Sequence, residues 1–332
     1  MARIVCHAPA LHPARSRLPR TVLWLASISS LHGPDKRTRD LNVIRLSPTS
    51  GVREAEEDDP TMPKTTLTRR SFLAMGAAAT LARAGQASAS GDLASAFRPG
   101  GNGRVDHGAF AAILAAIVRP DGAGYNRVDY RAARERREML ADYVRSLEAV
   151  DPRGLSRDEA HAYWINLYNA RTLDVVVAHL PVKSIRDIDL GGGLFKRGPW
   201  SAKLMRVGGL DLTLDDVEHR IVRAIFRDPM SHYGLNCASY SCPNLATKPY
   251  TGPNVDRLLA EGADLYVNHP RGVHVEGRRI TASRIYDWYA DDFGGADGTR
   301  AHWLVHASPD RAAAIRSAKA TRYEYDWSLN AA

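Results

Sequence analysis

Cysteine is nearly absent from this chain. Three occur in 332 residues, too few for the disulfide framework of a small secreted scaffold. No Cys-x-x-Cys pair and no His-Glu-x-x-His run is present, so neither a metal centre nor a cofactor is expected. No apolar run reaches the ~20 residues needed to span a bilayer, and no internal repeat appears. A basic surplus is missing too, although the formal charge of +8 suggests one. Residues 1–89 hold 13 of the 45 basic and 7 of the 37 acidic side chains, leaving 32 against 30 from Ser90 onward, about +2. Without a basic stripe, nucleic-acid binding loses its electrostatic basis.

What is present first is an address. Thr68-Arg69-Arg70-Ser71-Phe72-Leu73 is a twin-arginine pattern, followed by the small apolar run 74–82 and the Ala87-Ser88-Ala89 cleavage pattern. Together they predict a Tat-type signal over 62–89, engagement of the Tat translocase, an exported, periplasmic product and no membrane span after cleavage. Translation is expected to start at Met62, with 1–61 a non-native extension. Cys6 then disappears, leaving Cys237 and Cys242.

The mature chain divides into a flexible lead over 90–106, rich in Gly and Ser, and one domain over 107–332. Helices are expected at Phe110–Val118, at 132–150 and, best defined, at about 157–180. That last segment opens with the capping-box pattern Ser156-Arg157-Asp158-Glu159, stops at Pro181 and is apolar almost all round, as a buried central helix should be. Gly208-Gly209 and Gly277-Arg278 mark hairpin turns, and Thr213-Leu214-Asp215-Asp216 caps a helix to about Phe226. Shorter helices fit 254–267, 283–291, 299–306 and 310–319. The reading is α+β: a mainly helical single domain with a long central helix and a small antiparallel sheet built from 204–212, part of 231–236, 273–281 and 322–327.

Polar and reactive groups crowd into His232–Leu245. His232-Tyr233-Gly234-Leu235 reads as a short buried strand, and the following Ser, Pro and Asn residues read as a loop at a pocket mouth. Four segments together resemble the DUF547 family, a domain of unknown function: Tyr163–Ala170, Asp216–His219, His232–Leu245 and Tyr325–Asn330. The resemblance implies a domain from about Phe110 to Asn330 and no established reaction.

The residues leave two functions open. Cys237 is a candidate nucleophile with His232 as base, Glu218 as its orienter and His219 as a competing base; such a site hydrolyses or transfers acyl groups at peptide or amide bonds. Asn236 is a candidate oxyanion donor, and Asn166, Asn169, Trp164 and Ser239 are candidate contacts for an unidentified small-molecule or peptide ligand. Alternatively, a Cys237–Cys242 disulfide stiffens the loop of a non-catalytic envelope binding or structural domain. Asp151, Asp187, Asp189, Asp291 and Asp292 read as solvated loop or cap residues. Trp164, Trp288 and Trp327 read as core, with a fraction of them lining a ligand groove.

Overall fold

The computed structural model describes residues 92–190 and 198–332, all within the unit Thr68–Ala332. The extension and signal expected over 1–89 lie outside the described residues. In chain order the helices and strands are α1 (Leu93–Ala96), α2 (Gly108–Ile117), β1 (Val118–Pro120), β2 (Asn126–Val128), α3 (Tyr130–Glu135), α4 (Arg137–Glu148), α5 (Arg157–Ala178), β3 (Met205–Val207), β4 (Leu210–Leu212), a π-helical segment (Asp216–Val222) running into α6 (Arg223–Phe226), a 3-10 segment (Pro229–Tyr233), α7 (Val255–Asn268), β5 (Val273–Glu276), β6 (Arg279–Ser283), α8 (Ile285–Trp288), α9 (Gly295–His306), α10 (Pro309–Ser317) and β7 (Ala320–Glu324). The fold is α+β and mainly helical.

Helix α5 is the axis of the domain. Of its 22 residues 17 are buried, so it cannot be a surface helix with one apolar stripe. The Ser156 hydroxyl caps its start by accepting from the Glu159 N–H. Glu159 does not complete the capping box. Its carboxylate turns outward from the helix and accepts from the backbone N–H groups of Val105 (3.0 Å) and Gly252 (2.7 Å), tying two distant segments to one helix end. Proline cannot continue a helix, and Pro181 follows two residues after the His179 C-cap.

Asn166 and Asn169 are the polar pins of this apolar helix. Asn166 donates to the Tyr250 carbonyl and accepts from the Tyr250 N–H, while Asn169 does the same for the Gly234 carbonyl and the Asn236 N–H. Each amide therefore satisfies two buried backbone groups that would otherwise go unpaired. Asn169 in this way fixes the start of the Cys237 loop.

Several expectations are corrected. Segment 231–236 is not a strand: Ser231–Tyr233 belong to the 3-10 segment, and the chain then leaves regular structure. The 3-10 turn is capped by Asp228 and opens with Pro229, both good N-terminal helix residues. The strands form three small sheets, β1–β2, β3–β4 and β5–β6–β7, and β7 runs parallel to β6 with Ile280 opposite Thr321. Parallel entry is possible because α8 to α10 form the crossover between them. The expected flexible lead is partly ordered: Leu93 and Phe97 are buried, and the Phe97 ring meets Trp164 edge-on at 5.1 Å.

After β7 the final residues lace across the Cys237 loop. The Asn330 N–H donates to the Ala238 carbonyl, its side-chain amide reaches Asn236 Oδ1, and the Tyr240 N–H donates to the Ser328 carbonyl. This places Tyr325 and Trp327 beside the cysteines.

Candidate functional site

Asn236 organises the loop that carries Cys237. Its Oδ1 accepts from the Ala238 N–H at 3.0 Å and its Nδ2 donates to the Pro243 carbonyl at 2.6 Å. Ala238 sits at φ +64, a left-handed conformation that costs a non-glycine residue about 1–3 kcal/mol and persists only where surrounding bonds enforce it. The Cys242 N–H donates to the Ser239 carbonyl, closing the turn. Oδ1 and one Nδ2 hydrogen are thus committed inside the loop, and the buried Asn236 is not part of the cavity lining described below, so it is not placed as the oxyanion donor that the sequence suggested.

The turn brings the two sulfurs together. Cys237 and Cys242 are free thiols with Sγ atoms 3.0 Å apart, against about 2.05 Å in a bonded pair. The Cys237 N–H also donates to Cys242 Sγ at 2.9 Å. Cys237 is half-buried and Cys242 is buried. Cys237 Sγ further contacts Ser239 Oγ at 3.1 Å and Tyr325 Oη at 3.2 Å, and Ser239 donates to Tyr325 at 2.8 Å. The neighbouring Cys242 thiol does most to lower the Cys237 pKa, to about 7; burial opposes it and the Ser239 and Tyr325 hydroxyls add to it. Burial pushes the Cys242 thiol up, and negative charge on Cys237 pushes it further.

Cys237 and Cys242 line a cavity of about 280 Å³ together with Glu218, His219, His232, Tyr168, Tyr289, Trp288, Tyr325 and Trp327. A wider groove of about 1070 Å³ adjoins it, and Trp200, Trp288, Tyr325 and Trp327 belong to the walls of both. Trp288 is 43% exposed and Trp327 partly buried, so these two are wall rather than core. Trp164 is fully buried and, like Asn166 and Asn169, is not part of the cavity lining.

His232, Glu218 and Tyr289 of this lining belong to a charged and aromatic network. His232 Nε2 lies 2.8 Å from Asp292 Oδ2, and its ring stacks on Tyr289 with centroids 4.2 Å apart. Asp292 also receives a two-pronged contact from Arg223, Nε at 2.6 Å and Nη2 at 2.9 Å. The His232 hydrogen bond is the main influence holding the Asp292 carboxyl far below the usual carboxylate range; burial works against it and Arg223 reinforces it. Glu218 does not orient His232. Its two oxygens accept from the Tyr168 hydroxyl at 3.0 Å and the Tyr289 hydroxyl at 2.6 Å, and burial together with this carboxylate raises the Tyr289 pKa strongly. Asp292, expected as a solvated cap, is the residue that the sequence reading missed. His219 lies 3.4 Å from Arg223 and 3.9 Å from Asp215. Glu218 and His219 sit in the π-helical segment, where the Arg223 N–H reaches back five residues to the Glu218 carbonyl. Such a widened turn re-aims side chains relative to a regular helix.

His232 and Cys237 share the cavity, but among the described residues the hydrogen-bond partners of Cys237 Sγ are Ser239, Cys242 and Tyr325. Also among the described residues, no group of three His, Cys, Asp or Glu side chains is placed to hold a metal ion, and no helix is long and apolar enough to cross a membrane.

No curated protein and no solved structure matches the chain. The family model described as "Protein of unknown function, DUF547" matches residues 152–267, a span that contains α5, Glu218, His219, His232 and both cysteines but not Asp292 or Tyr325. The match agrees with the resemblance carried by three of the four sequence motifs, Tyr163–Ala170, Asp216–His219 and His232–Leu245, and makes this stretch of the chain similar to DUF547.

Proposed function

We propose that the protein is an exported thiol enzyme that hydrolyses or transfers acyl groups, with Cys237 as nucleophile. The observation that carries this reading is a partly exposed thiol, lowered to about 7, in the wall of a cavity it shares with His232, whose ring is hydrogen-bonded to Asp292. The Cys237 thiolate attacks the carbonyl carbon of an ester or amide; collapse forms a thioester and releases the alcohol or amine. Water then hydrolyses the thioester, or a second amine takes the acyl group. His232 serves as proton donor and acceptor for these steps. Asp292 occupies Nε2, so Nδ1 is the nitrogen left for proton transfer, and Asp292 fixes the ring orientation and stabilises the charged imidazolium. The adjoining groove gives room for the remainder of a peptide-like substrate.

The test is turnover of an activated ester such as p-nitrophenyl acetate by reduced protein. Cys237→Ala should abolish the acyl-enzyme burst. His232→Ala should lower the rate by ~10²–10⁴-fold, the usual contribution of a positioned acid–base group, and Asp292→Asn should also lower it. Full turnover by Cys237→Ala would overturn the assignment.

A second reading is favoured by one observation, the 3.0 Å separation of the sulfurs. If the pair is oxidised in an oxidising compartment, the domain is a non-catalytic binding or structural module. A thiol titration of unreduced protein then finds no free cysteine in the mature chain.

Export belongs to the same proposal and rests on the pattern around Arg69 and Arg70. Arg69→Lys combined with Arg70→Lys should hold the precursor in the cytoplasm, and intact mass should show a mature form beginning near Ser90. Undiminished export of the double variant counts decisively against the Tat route.

A further inference from the structure

The two cysteines differ in ways that a purely acyl-transferring thiol does not need. Both line the cavity, but Cys237 is partly exposed whereas Cys242 is buried. The loop between them is already folded, held by the Asn236 amide and by the Cys242 N–H to Ser239 carbonyl bond. Bringing the sulfurs from 3.0 Å to bonding distance requires a movement of only about 1 Å. Chain-closure entropy, the usual obstacle to joining two residues, has been met by the fold itself.

From this geometry we propose that Cys237 and Cys242 form a thiol–disulfide exchange centre, with Cys237 attacking and Cys242 resolving, acting on low-molecular-weight or short-peptide disulfides that fit the aromatic cavity. In the first step the Cys237 thiolate attacks one sulfur of the substrate disulfide. A mixed disulfide forms, and the other substrate sulfur leaves as a thiolate. In the second step Cys242 gives its proton to that leaving thiolate and attacks Cys237 Sγ. The Cys237–Cys242 disulfide forms and the remaining substrate half departs as a thiolate that takes a proton from solvent. The dithiol loses two electrons, and the substrate disulfide is reduced to two thiols. A small external thiol or dithiol reverses both steps and resets the centre.

The arrangement suits each role. An attacking thiol works best with a pKa near the ambient pH, and a low-pKa sulfur is also the better leaving group in the reverse direction. The Tyr325 hydroxyl beside Cys237 Sγ accepts from Ser239 and can itself donate to the thiolate both before attack and on its release. Cys242 is the more buried sulfur and its Sγ lies 3.0 Å from Cys237 Sγ, so it reacts chiefly with a mixed disulfide already formed on Cys237.

This inference uses the same nucleophile as the acyl-transfer reading but neither His232 nor Asp292. The test treats fully reduced protein with oxidised glutathione and follows intact mass. Wild type should end as an internal disulfide, lighter by two hydrogens and carrying no glutathione. Cys242→Ser and Cys242→Ala should stop at a single glutathione adduct, Cys237→Ser should take up none, and dithiothreitol should restore the starting masses. Should the Cys242 variants fail to fold, the wild-type protein alone decides through its redox equilibrium. At fixed oxidised glutathione the oxidised-to-reduced ratio must fall as the inverse square of the reduced glutathione concentration, because two thiols are released for each internal disulfide formed. A lasting glutathione adduct on wild type, or no reaction over a range of glutathione ratios, overturns the proposal. Ester turnover measured in parallel separates the two readings: exchange without turnover removes only the acyl reading, and turnover without exchange removes only this one.

Discussion

Reduced protein treated with iodoacetamide should be alkylated at Cys237 with half-maximal rate near pH 7, while Cys242 stays unlabelled. The midpoint is a better observable than the rate. Lowering a thiol from about 8.5 to 7 raises its thiolate fraction at pH 7 by roughly 15-fold. The same shift weakens the thiolate as a nucleophile by roughly 5-fold, given a Brønsted slope near 0.45. The net acceleration is only about 3-fold, easily hidden by steric access, whereas the midpoint is independent of access. The leading cause of the shift is the Cys242 thiol. Cys242→Ala should therefore move the midpoint up toward the ordinary cysteine range, and Tyr325→Phe should move it up by less. A midpoint of 8.5 or above in fully reduced wild type would show that the contacts at 3.0–3.2 Å do not stabilise the thiolate.

How far the sequence revealed this arrangement depended on whether the decisive contacts were local. The long helix was legible because seventeen buried positions in 22 residues leave an apolar pattern that no surface helix has, and because its cap and its stop are written in Ser156 and Pro181. The crowding of His232, Asn236, Cys237 and Cys242 was legible as a reactive loop because turn residues stand between reactive ones. Other features were not legible. The 3-10 path of Ser231–Tyr233 follows from the Asp228-Pro229 start, a local signal overlooked because the next four residues also suit a strand. Asp292 was misread because its partners, His232 and Arg223, lie 60 and 69 residues away, and an aspartate near a Gly-Gly turn looks like any solvated cap. The role of Glu218 depends on the π-helical widening at Asp216–Val222, which no periodicity announces. Asn236 was assigned to a substrate although its amide is consumed in holding its own loop, a common use of asparagine in turns. The Trp288 and Trp327 side chains looked like core because tryptophan usually is, yet the cavity wall is built from them.

Trp164→Ala should be the most destabilising single change in the domain among those considered, costing about 3–5 kcal/mol by the precedent of large buried aromatics. The side chain is fully buried, packed edge-on against Phe97 at 5.1 Å and Tyr163 at 4.9 Å, so little rearrangement can fill the space left behind. In a domain of this size each kcal/mol shifts Tm by about 2–4 °C, so a fall of roughly 6–20 °C is expected in thermal unfolding followed by circular dichroism. Trp164→Phe separates the sources of the effect. The indole Nε1 is buried without a hydrogen-bond partner among the described residues, and burial of an unpaired donor costs about 1–3 kcal/mol. Phenylalanine removes that penalty while keeping most of the apolar contact, so the gain offsets much of the lost volume and Trp164→Phe should unfold close to wild type. If Trp164→Phe instead loses as much as Trp164→Ala, the indole N–H is bonded after all and the packing account of this position is wrong. If Trp164→Ala unfolds within a degree or two of wild type, α5 is not the axis on which Asn169 positions the Cys237 loop.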